Sequence, residues 1–258
     1  MQIPDPIRSV QADRLVVRIY RTRDEMARAA AAAAVGSLGA AIAARGEARV
    51  MFASAPSQVE FLHALADART LDWSRVTAFQ LDEYLDFPSQ APQAFGQFLR
   101  EHLFDRTRPR KVWFLDGTAR DAAAEIARYE RLLREAKLDL GCVGVGENGH
   151  LAFNEPDSTD FDDPVLLRVV ALTEESRRQQ VHDGCFDALD AVPTRAMTLT
   201  VPAIVAARTI VCIVPGPTKR EALSRLVRGA VSVTCPASVL QRHADATVFA
   251  DVEAASAL

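Results

Sequence analysis

Leu140-Gly-Cys-Val-Gly144-Val-Gly146-Glu-Asn148-Gly149-His150-Leu-Ala-Phe-Asn154-Glu155-Pro156 is an apolar run that turns, through glycines, into a polar stretch carrying a histidine and a carboxylate. Leu140–Val145 has the composition of a buried strand. The segment after the strand decides the fold. Gly144-x-Gly146-x-x-Gly149 has the spacing of a dinucleotide fingerprint. That fingerprint needs a long helix after its third glycine, so that a pyrophosphate meets the helix N-terminus. Here Pro156 stops any helix within about two turns, and the pattern lies past the midpoint of the chain instead of opening it. The glycines therefore read as a turn that lets the backbone approach a small polar ligand closely. Gly146 and Gly149 belong to that turn, at the strand's C-terminal end, the edge where open α/β sheets bind ligands.

Outward from this strand the rhythm is regular. Further strand candidates are Leu15–Tyr20, Arg49–Ala53, Val76–Leu81, Lys111–Leu115, Met197–Val201, Thr209–Val214 and Ala246–Phe249. Helical patterns lie between them at about 24–44, 57–67, 93–103, 119–136 and 218–228. Thr22-x-x-Glu25, Ser57-x-x-Glu60 and Thr218-x-x-Glu221 have capping-box spacing, in which the hydroxyl takes an exposed amide and the carboxylate reaches back. Strands alternating with helices predict an α/β fold with a mostly parallel sheet covered on both faces. No repeat or linker interrupts residues 1–258, which read as one domain. The proline-bounded polar stretch Glu155–Pro164 is expected to begin a lid.

The 258 residues are 49% apolar and 25% charged, with net charge -4, the balance of a soluble globular protein. The longest uncharged run, Ala29–Ala44, is shorter and less apolar than a membrane span, and the first residues lack a secretory leader's charged start and apolar stretch. Mild acidity argues against nucleic acid as partner. Cys142, Cys185, Cys212 and Cys235 never form C-x-x-C; the cytoplasm is the expected compartment. A homo-oligomer is left open.

Three groups of residues carry chemistry. His150 follows the glycine turn, and Glu155 is placed to hold its tautomer and favour its protonated form; Asn148 stands beside them. His63, His102 and His243 have no such neighbours and read as ordinary structural histidines. In Phe79-Gln80-Leu81-Asp82-Glu83-Tyr84 two carboxylates close a strand at the ligand edge. Such a pair is commonly a solvated strand end, but a partly buried member can act as general base on a C–H beside a carbonyl. In Val214-Pro-Gly216-Pro-Thr218-Lys219, Thr218 reads as N-cap and Lys219 as the first helical residue, where a lysine opposes the helix dipole and so points to a bound anion. Ser54-Ala55-Pro56-Ser57 offers hydroxyls and amides to the same kind of ligand.

Together, in this order and spacing, these groups resemble the glucosamine-6-phosphate deaminase (isomerase) family, whose relatives include the 6-phosphogluconolactonases. The resemblance runs from about residue 48 to the C-terminus and is most specific at Leu81-Asp82-Glu83-Tyr84 and Gly146–Pro156. Lactonases usually keep the Gly-His element without the Phe-Asn-Glu-Pro that follows, so the chain looks like the deaminase branch. The resemblance implies a modified doubly wound, Rossmann-like sheet and no metal or organic cofactor. It implies aldose–ketose isomerisation of an amino-sugar phosphate with loss of ammonia. In it His150 assists ring opening, oriented by Glu155, Asp82 moves a proton from C2 to C1, and Lys219 with the Ser54–Ser57 loop holds the 6-phosphate.

The chain departs from the family pattern in three places. Asn148 stands where many members have aspartate in a relay with the histidine. The first phosphate loop is poorer in glycine, and His182 aligns with an arginine expected to grip the phosphate. The remaining readings are a lactonase-type sugar-phosphate hydrolase and a non-catalytic sugar-phosphate sensor. The sensor would need a DNA-binding segment, which residues 1–20 do not offer.

Overall fold

The protein, seen as a computed structural model, is described for residues 3–156 and 158–258. Eleven strands form two sheets among the described residues: β1 (Arg8–Ala12), β2 (Leu15–Tyr20), β3 (Ala48–Phe52), β4 (Val76–Gln80), β5 (Asp82–Tyr84), β6 (Lys111–Trp113), β7 (Leu140–Gly144), β8 (Leu167–Ala171), β9 (Arg195–Leu199), β10 (Thr209–Val214) and β11 (Ala246–Asp251). The helices are α1 (Arg23–Arg45), α2 (Val59–Asp67), α3 (Phe95–Leu99), α4 (Asp105–Thr107), α5 (Ala122–Arg134), α6 (Glu174–His182), α7 (Val201–Val205) and α8 (Arg220–Arg228), with a π-helical turn at Arg100–Phe104 joining α3 to α4.

The main sheet runs β1-β2-β11-β10-β7-β3-β4-β6. Every pairing is parallel except the β1–β2 hairpin, where Ala12 opposes Leu15 and Asp13 takes the left-handed turn conformation (φ 51°). Asp tolerates that region because its short side chain bonds locally. Side chains alternate between two cores, as the strand period of two requires. Val50, Phe52, Cys142, Val211 and Ile213 face a layer made by α1 and α2, with Met26, Ala30, Leu38, Phe61 and Leu65. Met51, Val143, Ile210, Cys212 and Val214 face α5, α7 and α8, with Tyr129, Ile204, Leu223 and Leu226. Each such fully buried Leu, Ile or Phe contributes about 1.5–3 kcal/mol by leaving water.

α1 is long and apolar enough to span a membrane by length and composition. Its alanines instead let it lie close on the sheet: Ala27, Ala30, Ala31 and Ala34 are all buried in the core. Thr22 caps it by accepting from the Glu25 amide, and the Glu25 carboxylate reaches back to Arg21. The other two capping boxes do not form. Ser57 and Thr218 lie inside short 3-10 turns (Pro56–Gln58 and Pro217–Lys219) that precede α2 and α8 with no side-chain cap. In each case a proline at the first turn position fixes φ, and the α-helix starts two residues later than expected.

The predicted strand at Met197–Val201 is β9, and it is not in the parallel sheet. It pairs antiparallel with β5 and β8 in a separate three-stranded sheet. The chain changes sheet at Leu81: β4 ends at Gln80 and Asp82 opens β5. In the main sheet the connections run from β3 outward through β4 to β6, and from β7 in the opposite direction through β10 to β11. The strand order therefore reverses between β3 and β7, which makes a crevice at their C-terminal ends.

Candidate active site

Four adjacent parallel strands, β10, β7, β3 and β4, deliver the polar residues of one cleft from their C-terminal ends. With strands about 4.8 Å apart, the four ends span roughly 14 Å, room for a small sugar and a substituent. Asp82 follows β4, Ser54, Ala55 and Ser57 follow β3, Gly146 and His150 follow β7, and Lys219 follows β10; all line the same cleft.

The two neighbouring carboxylates separate into different tasks. Glu83 is buried and accepts from Gln80 Nε2 (2.8 Å) and from the backbone amides of Tyr84, Phe95 and Gly96 (3.0, 3.0 and 2.8 Å). It fixes the start of α3 to the sheet; burial still lifts its carboxyl above the usual range, with the hydrogen bonds opposing. Asp82 is 7% exposed and faces the cleft. Its carboxyl is held well above the ordinary range by burial first and by the Glu83 charge second, and no hydrogen bond from the described residues stabilises its ionised form. A desolvated carboxylate of this kind is a stronger base than one in water.

The glycine turn brings His150 back over its own entrance. Gly146 N donates to His150 O (3.0 Å), and a Cβ at 146 would lie 2.2 Å from the imidazole Cε1, so only glycine leaves room for the ring. Gly149 (φ 91°) does not line the cleft; it takes the left-handed turn conformation against Cys235, where a Cβ would meet Sγ at 2.7 Å. Glu155 lies behind the histidine, its Oε1 3.4 Å from His150 Nδ1. That is an ion-pair contact without aligned hydrogen-bond geometry, so Nδ1 is otherwise unpartnered among the described residues.

Asn148 contacts the backbone and Glu155, not the imidazole. Its Nδ2 donates to Glu155 Oε2 (2.8 Å) and its Oδ1 accepts from the His150 amide (3.1 Å). Ser176 donates to the other Glu155 oxygen. Burial would raise the Glu155 carboxyl, but the nearby His150 and the hydrogen bonds from Ser176 and Asn148 hold it down at about 2.

Lys219 is 5% exposed and its amine is pushed to lower proton affinity by burial, with Asp183 and Glu147 acting to raise it. It sits on the turn before α8, not in the helix. The turn is set by Gly216 (φ 84°), whose amide donates to both oxygens of the buried Asp251 (3.1 and 3.0 Å). Gln58 crosses between the β3 and β10 loops, donating to Ile213 O (3.5 Å) over Gly144, where a Cβ would lie 2.9 Å from Gln58 Nε2.

The predicted segment around 155–164 contributes none of its described residues to the cleft lining, and Asp157 lies outside the described residues. The wall there comes from α6 and its end: Gln179, Gln180 and Asp183. α6 is tied down by Tyr84 Oη donating to Gln180 Oε1 (3.0 Å), by the Glu147 amide donating to Gln179 Oε1 (3.2 Å), and by Ser176 on Glu155. His182 points away. Its side chain is 62% exposed and its Nδ1 lies 3.3 Å from Glu147 Oε1 in a neighbouring groove, while the next residue, Asp183, lines the cleft. Sequence reading passed over α6, though Thr173-Glu174-Glu175-Ser176 announces it: Thr173 Oγ1 accepts from the Ser176 amide (3.1 Å).

A parallel sheet with a switch-point cleft, carrying a desolvated carboxylate, a glutamate-backed histidine and a buried lysine, defines a class of α/β protein that handles small polar ligands. The chain belongs to the family described as glucosamine-6-phosphate isomerases/6-phosphogluconolactonase, whose profile matches residues 21–249. Glucosamine-6-phosphate deaminases of Bacillus thuringiensis (strain Al Hakam) and Bacillus cereus (strain AH820) are each 41% identical over 186 residues, covering 72% of this chain and 69% of theirs. Among solved structures, a monomeric glucosamine-6-phosphate deaminase superposes with TM-score 0.85 at 28% identity, over 94% of this chain and 99% of that one. A 6-phosphogluconolactonase from Shewanella baltica OS155 superposes with TM-score 0.77 at 19% identity, over 94% and 100%, a likeness of fold.

Proposed function

We propose that the chain converts glucosamine 6-phosphate and water into fructose 6-phosphate and ammonia. The observation that carries this reading is the Asp82 carboxylate, buried and without hydrogen bonds among the described residues, lining one cleft with His150 and Lys219. The deaminase relatives at 41% identity support the same reaction.

In this reading His150, with Glu155 behind it, passes a proton to the ring oxygen as the pyranose opens. Asp82 then removes the proton at C2 and returns it to C1, through an enediol-like intermediate bearing nitrogen at C2. Water adds at C2 of the resulting imine and ammonia leaves. A base with raised proton affinity suits a weakly acidic C–H. Lys219 and the amides and hydroxyls of Ser54–Ser57 hold the phosphate. Asn148 and Ser176 are positioning residues that act through Glu155. All of these groups lie on one chain, and a cytoplasmic setting suits cysteines that form no disulfide among the described residues.

Parallel assays of ammonia from glucosamine 6-phosphate and of acid from 6-phosphogluconolactone test the reading. Ammonia without acid is the expected result. Acid without ammonia would place the chain with the lactone hydrolases and overturn it.

A further inference from the structure

Beside the Asp82–His150 pair, the cleft presents two opposite charges. The Lys219 ammonium is nearly fully buried, yet it has no hydrogen bond or ion pair among the described residues. Asp183, at the C-terminal cap of α6, lines the same cleft; among the described residues its side chain accepts only from Gln179 Nε2 (3.3 Å). Asp183 is the leading charge acting on Lys219, ahead of Glu147. No arginine lines the cleft among the described residues.

A sugar phosphate at neutral pH carries nearly two negative charges on oxygens that only accept hydrogen bonds. Lys219 satisfies such a group, but an ionised carboxylate is itself acceptor-only and repels it. A hydroxyl both donates and accepts, so it can take a hydrogen bond from Lys219 and give one to Asp183. One ammonium and one carboxylate opening on the same space therefore suit an alcohol as well as a phosphate.

We infer that the cleft also takes an unphosphorylated 2-amino-2-deoxyhexose, its terminal hydroxyl held between Lys219 and Asp183, and that Asp183 sets the balance between free and phosphorylated sugar. The inference rests on the deaminase reading above. The reaction is the same and needs no redox partner. The C2 proton moves to C1, water adds at C2, the C2–N bond breaks, and aminohexose plus water becomes ketohexose plus ammonia.

The test compares kcat/KM for glucosamine and glucosamine 6-phosphate in the wild type, Asp183→Asn and Asp183→Ser, with calorimetric binding of inorganic phosphate to each. The wild type is expected to release ammonia from both sugars. Asp183→Asn should lose about tenfold or more on glucosamine while holding or gaining on glucosamine 6-phosphate, and should bind phosphate about fivefold more tightly. Asp183→Ser, a smaller polar replacement, should shift the substrate ratio the same way if Asn fails to fold. A wild type active on the phosphorylated sugar and inert on glucosamine overturns the inference, as does an equal fall on both sugars in the variants. Ammonia from neither sugar ends the deaminase reading and this activity with it, whereas unchanged phosphate binding in Asp183→Asn separately ends the role given to that residue.

Discussion

At the residue scale, the cleft holds charges that the fold does not stabilise. Asp82 carries its proton to higher pH in the folded chain than in the unfolded one, because burial and Glu83 disfavour its ionised form. The native state then binds more protons than the unfolded state above the usual carboxylate pKa of about 3.9, so Asp82 lowers stability as pH rises through that range. Asp82→Asn should therefore raise the melting temperature at pH 8 by about a few degrees and leave it unchanged near pH 4; a lower melting temperature at pH 8 would contradict the burial argument. Glu155 is the opposite case. Its folded value of about 2 contributes stability above the unfolded value of about 4.3, lost as pH falls toward 2. Glu155→Gln should reduce kcat by about tenfold to a hundredfold with little change in KM, since it removes the charge behind His150 without touching the substrate. Gly146→Ala should cost a comparable factor in kcat, because the nearest atoms to the added methyl are those of the His150 ring, which must move out of place.

At the element scale, the legibility of each element in the sequence depends on how it is buried. β3, β7, β10 and β11 are covered on both faces, so they read as mostly apolar runs, and their expected bounds agree with the observed ones within about two residues. β1 and β8 are edge strands of mixed polarity (Arg-Ser-Val-Gln-Ala and Leu-Arg-Val-Val-Ala) and carry no such signal. β5 is hidden because it begins one residue after β4 ends, and no local pattern distinguishes a strand that continues from one that changes sheet. Asp82, His150 and Lys219 are legible because strand ends concentrate them. Asp183, Gln180 and Ser176 are not, since they reach the cleft or Glu155 only through the packing of α6. That packing hangs on Tyr84 Oη and Gln180. Tyr84→Phe should loosen α6 and raise KM about threefold to tenfold, with faster amide hydrogen exchange over Glu174–His182 as the direct readout.

At the scale of the whole molecule, the two edges of the sheet have different work. The C-terminal edge carries the cleft; the opposite edge carries an electrostatic knot on the buried Asp139. Asp139 accepts from the Arg49 amide (2.9 Å) and pairs with Arg45 and with Arg208 (3.4 Å for the latter). Both arginines are about half exposed, so much of the pairing is screened. Asp139→Ala should cost about 2 kcal/mol in urea unfolding, chiefly from the unpaired Arg49 amide and the lost charge-assisted bonds, with turnover unchanged. Loss of activity in a folded Asp139→Ala protein would show that the two edges are coupled.

The most direct test of the central claim is turnover of glucosamine 6-phosphate by Asp82→Asn, with substrate binding measured on the same protein. The proton-transfer role predicts that kcat falls at least about a hundredfold while the dissociation constant stays within about threefold of wild type. Ammonia release above about a hundredth of the wild-type rate, from a folded variant that binds normally, would contradict it.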